Sequence, residues 1–153
     1  MKIHHLKVRA FASKETLEAT RELLRSLLPQ DAQIEEARIE PELEGGVFTN
    51  TMYDLHSEIT GKETGAFLKK ILSSLDEYDF GRIMEKKDLF LDEECNFYLR
   101  LSKKEAAAGS IVLDAKDSIH VTAKIAAYPA RKENALKAVD ELIKEAEDER
   151  KIR

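Results

Sequence analysis

The chain has a single cysteine, Cys95, in 153 residues. One cysteine cannot form an internal disulfide, and it makes a thiolate zinc site implausible. No apolar run approaches the roughly 20 residues that cross a bilayer. The N-terminal stretch MKIHHLKVRAF lacks the apolar core and small-residue cleavage site of a signal peptide. These absences together predict a cytoplasmic protein. Glycine and methionine are sparse while lysine and glutamate abound, a composition that suggests heat adaptation. An excess of positive charge is also missing: Lys+Arg number 25 against Asp+Glu 30, a net charge of −5. That balance argues against a generic nucleic-acid or membrane coat, and leaves room for a local basic patch.

What is present is a heavily charged soluble chain, 42% hydrophobic and 36% charged. Its length fits one domain over 1–153, long enough to bury a core. Period-two alternation predicts strands over 2–11, 33–40, 47–59, 96–101 and 119–128, with a further short strand in SIVLDA. Ile34 and Ile39 have opposite parity, which suggests a bulge in the second strand. Helical spacing predicts a helix after an N-cap at Ser13, ended by Pro29. Further helices carry Phe67, Leu68, Ile71, Leu72 and Leu75, then Phe80, Ile83 and Met84 on their inner faces. SKKE at 102–105 fits a capping box before a short helix that Gly109 ends. The last helix has Ala135, Leu136, Val139, Leu142, Ile143 and Ala146 on one stripe, with a charged tail expected to fray from about 147. Together these elements predict an α+β fold: a mostly antiparallel sheet with helices packed on one face.

Most apparent motifs dissolve on inspection. GKETG at 61–65 is not a phosphate loop, because His56 stands where a glycine is required and Glu63 where a hydroxyl is required. His4 and His5 are strand neighbours that should point apart, so no metal is assigned. Cys95 beside Asp92-Glu93-Glu94 is a poor nucleophile. No catalytic set, nucleophile elbow or dinucleotide fingerprint is present, and no cofactor is implied.

The outward faces of three strands share a character. They carry His5, Lys7 and Arg9; Tyr98 and Arg100; and His120, Lys124 and Tyr128. Standing together, such side chains would neutralise phosphates and stack on unpaired bases. Asp54, Glu58 and Glu36 would form an acidic half beside them. The plain alternative is that polar residues face water on any antiparallel sheet. Arg131, Lys132, Lys103 and Lys104 at helix starts are secondary phosphate candidates. The outward Phe48 and Met52 suggest a different use, a homodimer or protein interface.

IHHLKVRAF near the N-terminus, NFYLRLSKKEAAAG, and DSIHVTAKIAAYPARKENAL resemble segments of an archaeal family of predicted RNA-binding proteins, also described as predicted exosome subunits. The resemblance runs from about Lys2 to Leu142 and is most specific at AAYPA. It implies a fold like the large-ribosomal-subunit protein that binds 5S RNA, and a role with RNA, the exosome or other RNA-processing proteins. The resulting expectation is a non-enzymatic RNA-binding protein. Lys7, Arg9, Arg100 and Lys124 would contact phosphates, Tyr98 and Tyr128 would stack, and His120 would supply hydrogen bonds and a pH-dependent charge. The alternative is a protein-interaction module or homodimer that binds no RNA.

Overall fold

Alternation makes β1 (Ile3–Ser13) the centre of the molecule. Leu6, Val8, Ala10 and Ala12 are fully buried on one side, while Lys7, Arg9 and Phe11 lie on the other. The computed structural model describes residues 2–41 and 50–152. After β1 come α1 (Leu17–Leu27), β2 (Glu35–Ile39), β3 (Met52–Thr60), α2 (Glu63–Ser74) and α3 (Glu77–Lys86). A 3-10 turn (Lys87–Phe90), β4 (Asn96–Ser102), α4 (Lys103–Ala107), β5 (Ser118–Ile125) and α5 (Lys132–Ile152) complete the chain. The strands form one antiparallel sheet in the order β2-β3-β1-β5-β4. The helices pack on one face, and the other face is open. The α+β class and the one-sided packing read from the sequence are therefore observed.

The core is what the periodicities demanded. Phe67, Leu68, Ile71, Leu72 and Leu75 of the α2 region are buried, as are Ala135, Val139, Leu142, Ile143 and Ala146 of α5. These two helices pack on one another beneath the sheet. Met84, expected inward on α3, is instead 39% exposed, while Phe80 and Ile83 fill the core.

Several local expectations are corrected. A register shift between Ile3 and His5 marks a bulge in β1. It lets Ile3 and Leu6 both face the core despite their opposite parity. It also leaves His4 and His5 both exposed, so simple alternation does not hold there. Ser13 does not cap α1. It ends β1, and its backbone N–H donates to Thr16 Oγ1 at 2.9 Å in the turn that follows. The parity conflict in β2 needs no bulge, because the strand begins after Ile34 and pairs regularly with β3. Of the 47–59 strand, residues 47–49 lie outside the described residues, as do Phe48 and Gly45-Gly46. SIVLDA is not a strand; it meets β4 only through a Leu113–Leu101 bridge. Ser102 does cap α4, accepting the Glu105 N–H at 3.1 Å.

The C-terminal helix runs through Ile152, past Glu147, where its charge had suggested fraying. Arg150 accounts for this. Its guanidinium donates to the carbonyls of Ser73 and Leu75 and lies over the Phe80 ring, 4.4 Å from the centroid. A cation suits the exposed carbonyls at the end of α2. Replacing Arg150 with alanine is expected to cost about 1–2 kcal/mol. Urea unfolding would show a lower midpoint with unchanged slope, and Arg150→Lys would recover only part, since lysine lacks the planar fork. An unmoved midpoint would mean the helix end is not anchored in solution.

Candidate nucleic-acid interface

Strand order decides whether the outward side chains meet. β1, β5 and β4 are neighbours, and their registers align the candidates in cross-strand rows. Arg9 stands opposite His120, which stands opposite Arg100. One row along, Lys7 faces Thr122, which faces Tyr98; in the next, His5 faces Lys124, which faces Asn96. Directly opposed residues on one face of an antiparallel sheet lie about 5 Å apart at Cβ, so this is one continuous surface. Lys7, Arg9, Tyr98, Arg100, His120 and Thr122 line a shallow depression of about 230 Å³ in it.

Tyr128 does not join them. β5 ends at Ile125, and Tyr128 sits in the loop before Pro129, 97% exposed. The alternation continues in the sequence, but its partner does not: Ile3 pairs with Ile125, and the Ala126 N–H already meets the Lys2 carbonyl at the start of the chain.

The neighbouring half of the face is acidic, on β2 and β3. Arg9 opposes His56, and Lys7 opposes Glu58. Glu36 is not part of this half. It faces the helices, where the Arg21 guanidinium of α1 binds it at 2.5 and 2.8 Å and holds its carboxyl below the usual range. Glu35 takes the open-face position, 3.2 Å from His56 Nε2.

The chain has relatives among known proteins. The sequence model of a family described as RNA binding matches residues 5–125, most of the chain and all three strands of the surface. The chain belongs to that family. An RNA-binding protein of Pyrococcus abyssi is 30% identical over 151 residues, 97% of each chain. Among solved structures, a DUF54 protein of Archaeoglobus fulgidus superposes with a TM-score of 0.78 at 25% identity, covering 92% of this chain and 99% of that one. A DUF54 protein of Methanothermobacter thermautotrophicus gives 0.73 at 28% identity, covering 94% and 99%.

The family member's cations are not equally available. Arg9 Nε donates to Asp54 at 3.0 Å, so the acidic half holds it in place. Lys124 donates to the Glu94 carbonyl. Among the described residues, Lys7 and Arg100 have no hydrogen-bond or carboxylate partner. Of the secondary candidates, Lys103 is engaged by Asp117 at 3.1 Å and the Phe11 carbonyl. Lys132 lies 3.9 Å from Glu93, and Arg131 lies 3.9 Å from Glu133. Met52, half-buried at the β3 end, is the described member of the pair suggested for an interface.

Two features escaped the sequence. Phe11 continues the parity of Lys7 and Arg9, and its ring meets His120 edge-on at 6.3 Å. Asp92, in a turn read as merely solvated, fixes Tyr98. It accepts from Asn96 N at 2.8 Å, Glu94 N at 3.0 Å, Asn96 Nδ2 at 3.2 Å and Tyr98 Oη at 2.9 Å. Burial pushes the Asp92 carboxyl up, but those bonds outweigh it and leave it below the ordinary range. The same bond, with burial, raises the Tyr98 phenol and keeps it protonated.

His120 is held toward its neutral form by burial and by the charges of Arg100 and Arg9. Because its folded value lies below the ordinary one, it contributes stability above about pH 6.5 that is lost as pH falls through the lowered value. A bound phosphate would favour the imidazolium, so binding would take up a proton. RNA affinity is therefore expected to rise as pH falls below about 6.5. His120→Gln should flatten part of that rise, with His5 and His56 present in both proteins. Equal pH profiles for parent and variant would remove His120 from the interface.

Proposed function

We propose that this protein binds RNA through the open face of β1, β5 and β4, without catalysing a reaction. The observation that carries the reading is the cross-strand arrangement of Lys7, Arg9, His120 and Arg100, with Lys7 and Arg100 unengaged among the described residues. Unpaired cations on a surface are what phosphates replace water around, with release of counterions. Tyr98 beside them offers a ring for a base. Membership of a family described as RNA binding supports the same reading, as does the relative named as an RNA-binding protein.

A net charge of −5 is compatible with this role, because the acidic half repels RNA and leaves the other half of the open face to receive it. Arg9, tied to Asp54, marks the border between the halves. We extend the reading to a cytoplasmic place among RNA-processing proteins, the exosome included. A likeness of the fold to the ribosomal protein that binds 5S RNA belongs to the same extension. Co-purification of a tagged chain with exosome subunits, abolished by ribonuclease or not, tests that extension.

The direct test is binding of labelled RNA across a salt series. Affinity should fall steeply with salt, by about 0.7 log units per decade for each single-strand phosphate neutralised. Lys7→Glu with Arg100→Glu should weaken binding at least tenfold and flatten the salt slope by about 0.7 for each residue. Both side chains stand on the open face, so the fold should survive, which circular dichroism checks. Unchanged binding in this double variant would refute the sheet-face site. Absence of binding in the parent would turn the face over to a protein partner or a second copy, which solution sizing at several concentrations would reveal.

A further inference from the structure

The basic surface does not stop at the sheet edge. A second depression, about 280 Å³, lies against the outer edge of β4 and shares Tyr98 and Arg100 with the first. Arg82, Leu89, Phe90, Leu113, Asp114 and Ala115 complete its wall. We infer that this pocket receives one unpaired RNA base, while the strand's phosphates run over the β1–β5–β4 face. The inference rests on the RNA-binding reading above and adds selectivity to it.

The wall is built rather than incidental. Asp79 is buried at the start of α3, and its Oδ2 accepts the Leu113 N–H at 3.0 Å, fixing the loop that carries Asp114. Its other oxygen lies 3.7 Å from Arg82 Nη1. Asp92 holds the Tyr98 ring through its hydroxyl. Leu89 is 74% exposed, an apolar side chain left in water at the rim. The edge of β4 is bridged at Leu91–Phe97 and at Leu113–Leu101, and the pocket opens between these bridges. At about 3.3 Å per residue, that gap is too short for an added peptide strand to pair along it, and a flat heterocycle needs no such length.

The charges sort the nucleotide's parts. Arg82 and Arg100 suit phosphates on either side of the pocket. Asp114 repels a phosphate inside it but accepts a hydrogen bond from a base amino group. An aromatic and apolar wall stacks any base. A base within a duplex cannot enter, because its faces are already stacked and its pairing edge is occupied.

The test compares a single-stranded RNA carrying one 2-aminopurine with a blunt RNA duplex of equal length. The parent should bind the single strand more tightly and quench the 2-aminopurine. Leu89→Ser, at an exposed position, should reduce single-strand affinity about tenfold and restore fluorescence, with duplex affinity unchanged, and Arg82→Gln should weaken the single strand more than the duplex. Lys7→Glu with Arg100→Glu should weaken both ligands. Equal binding of both RNAs, insensitive to Leu89→Ser and Arg82→Gln, would overturn the pocket while the sheet face stood, and would leave the depression to a protein segment. Failure of the parent to bind either RNA would overturn both readings together.

Discussion

The alternation of β1 is the constraint on which everything else depends. It lies between β3 and β5, so one set of its side chains is the middle of the core and the other is the middle of the open face. A slip of one residue would bury Lys7 and Arg9 and expose Leu6 and Val8. Burying a lysine without a partner costs far more than any loop rearrangement can recover. The register that protects the core therefore also sets Arg9 opposite His120 and Lys7 opposite Thr122. Even the bulge near His4 serves this end, since it returns Ile3 to the core where the strand begins.

Charge is divided across the same strand. On one side, carboxylates have side-chain partners: Asp54 has the Arg9 guanidinium, Glu35 the His56 ring. On the other, the Arg100 side chain stands without a partner among the described residues, and His120 is held toward its neutral form first by burial and then by the charges of Arg100 and Arg9. Close cations that depress a neighbouring imidazole form a site whose electrostatic cost falls when an anion arrives. Exposed ion pairs contribute little to stability, so these pairings matter more for holding side chains in place than for holding the fold together. Part of the negative total lies on the neighbouring half of the same open face, beside the cations.

Much of this was legible in the sequence, and the failures have physical causes. The strand at 96–101 and the helix carrying Phe67 to Leu75 were readable because their periods are clean and their burial one-sided, and the strand at 2–11 was readable from Leu6 onward, past the bulge. Strand order was not, since no local pattern says that β1 separates β3 from β5. Tyr128 shows the limit of alternation: the pattern in AKIAAY outlasts the neighbouring strand, and without a partner the chain leaves the sheet. Glu36 shows the cost of a one-residue error in parity, which exchanged it with Glu35. The tail after Glu147 looked too charged to hold, but one arginine reaching the carbonyls of another helix kept it helical. Asp92 read as a turn residue because its partners, two to six residues on, are assembled only when the turn closes.

A face of cations alone tells RNA from a neutral surface but does not tell one RNA form from another. Phosphates line duplexes and single strands alike, and the groove edges of a duplex are read mainly by shape. Discrimination has to come from a group that only unpaired nucleotides can satisfy. On this molecule that group lies where the sheet stops: Tyr98, its hydroxyl fixed by Asp92, belongs both to the cationic face and to the apolar edge pocket. In the proposed binding mode, a strand crossing from one to the other would pass its phosphates over Lys7 and Arg100 and turn a base past the last strand. An edge strand normally needs protection from pairing with other chains. Here short bridges guard its two ends, and the space between them is left open where the proposed ligand makes its most selective contact.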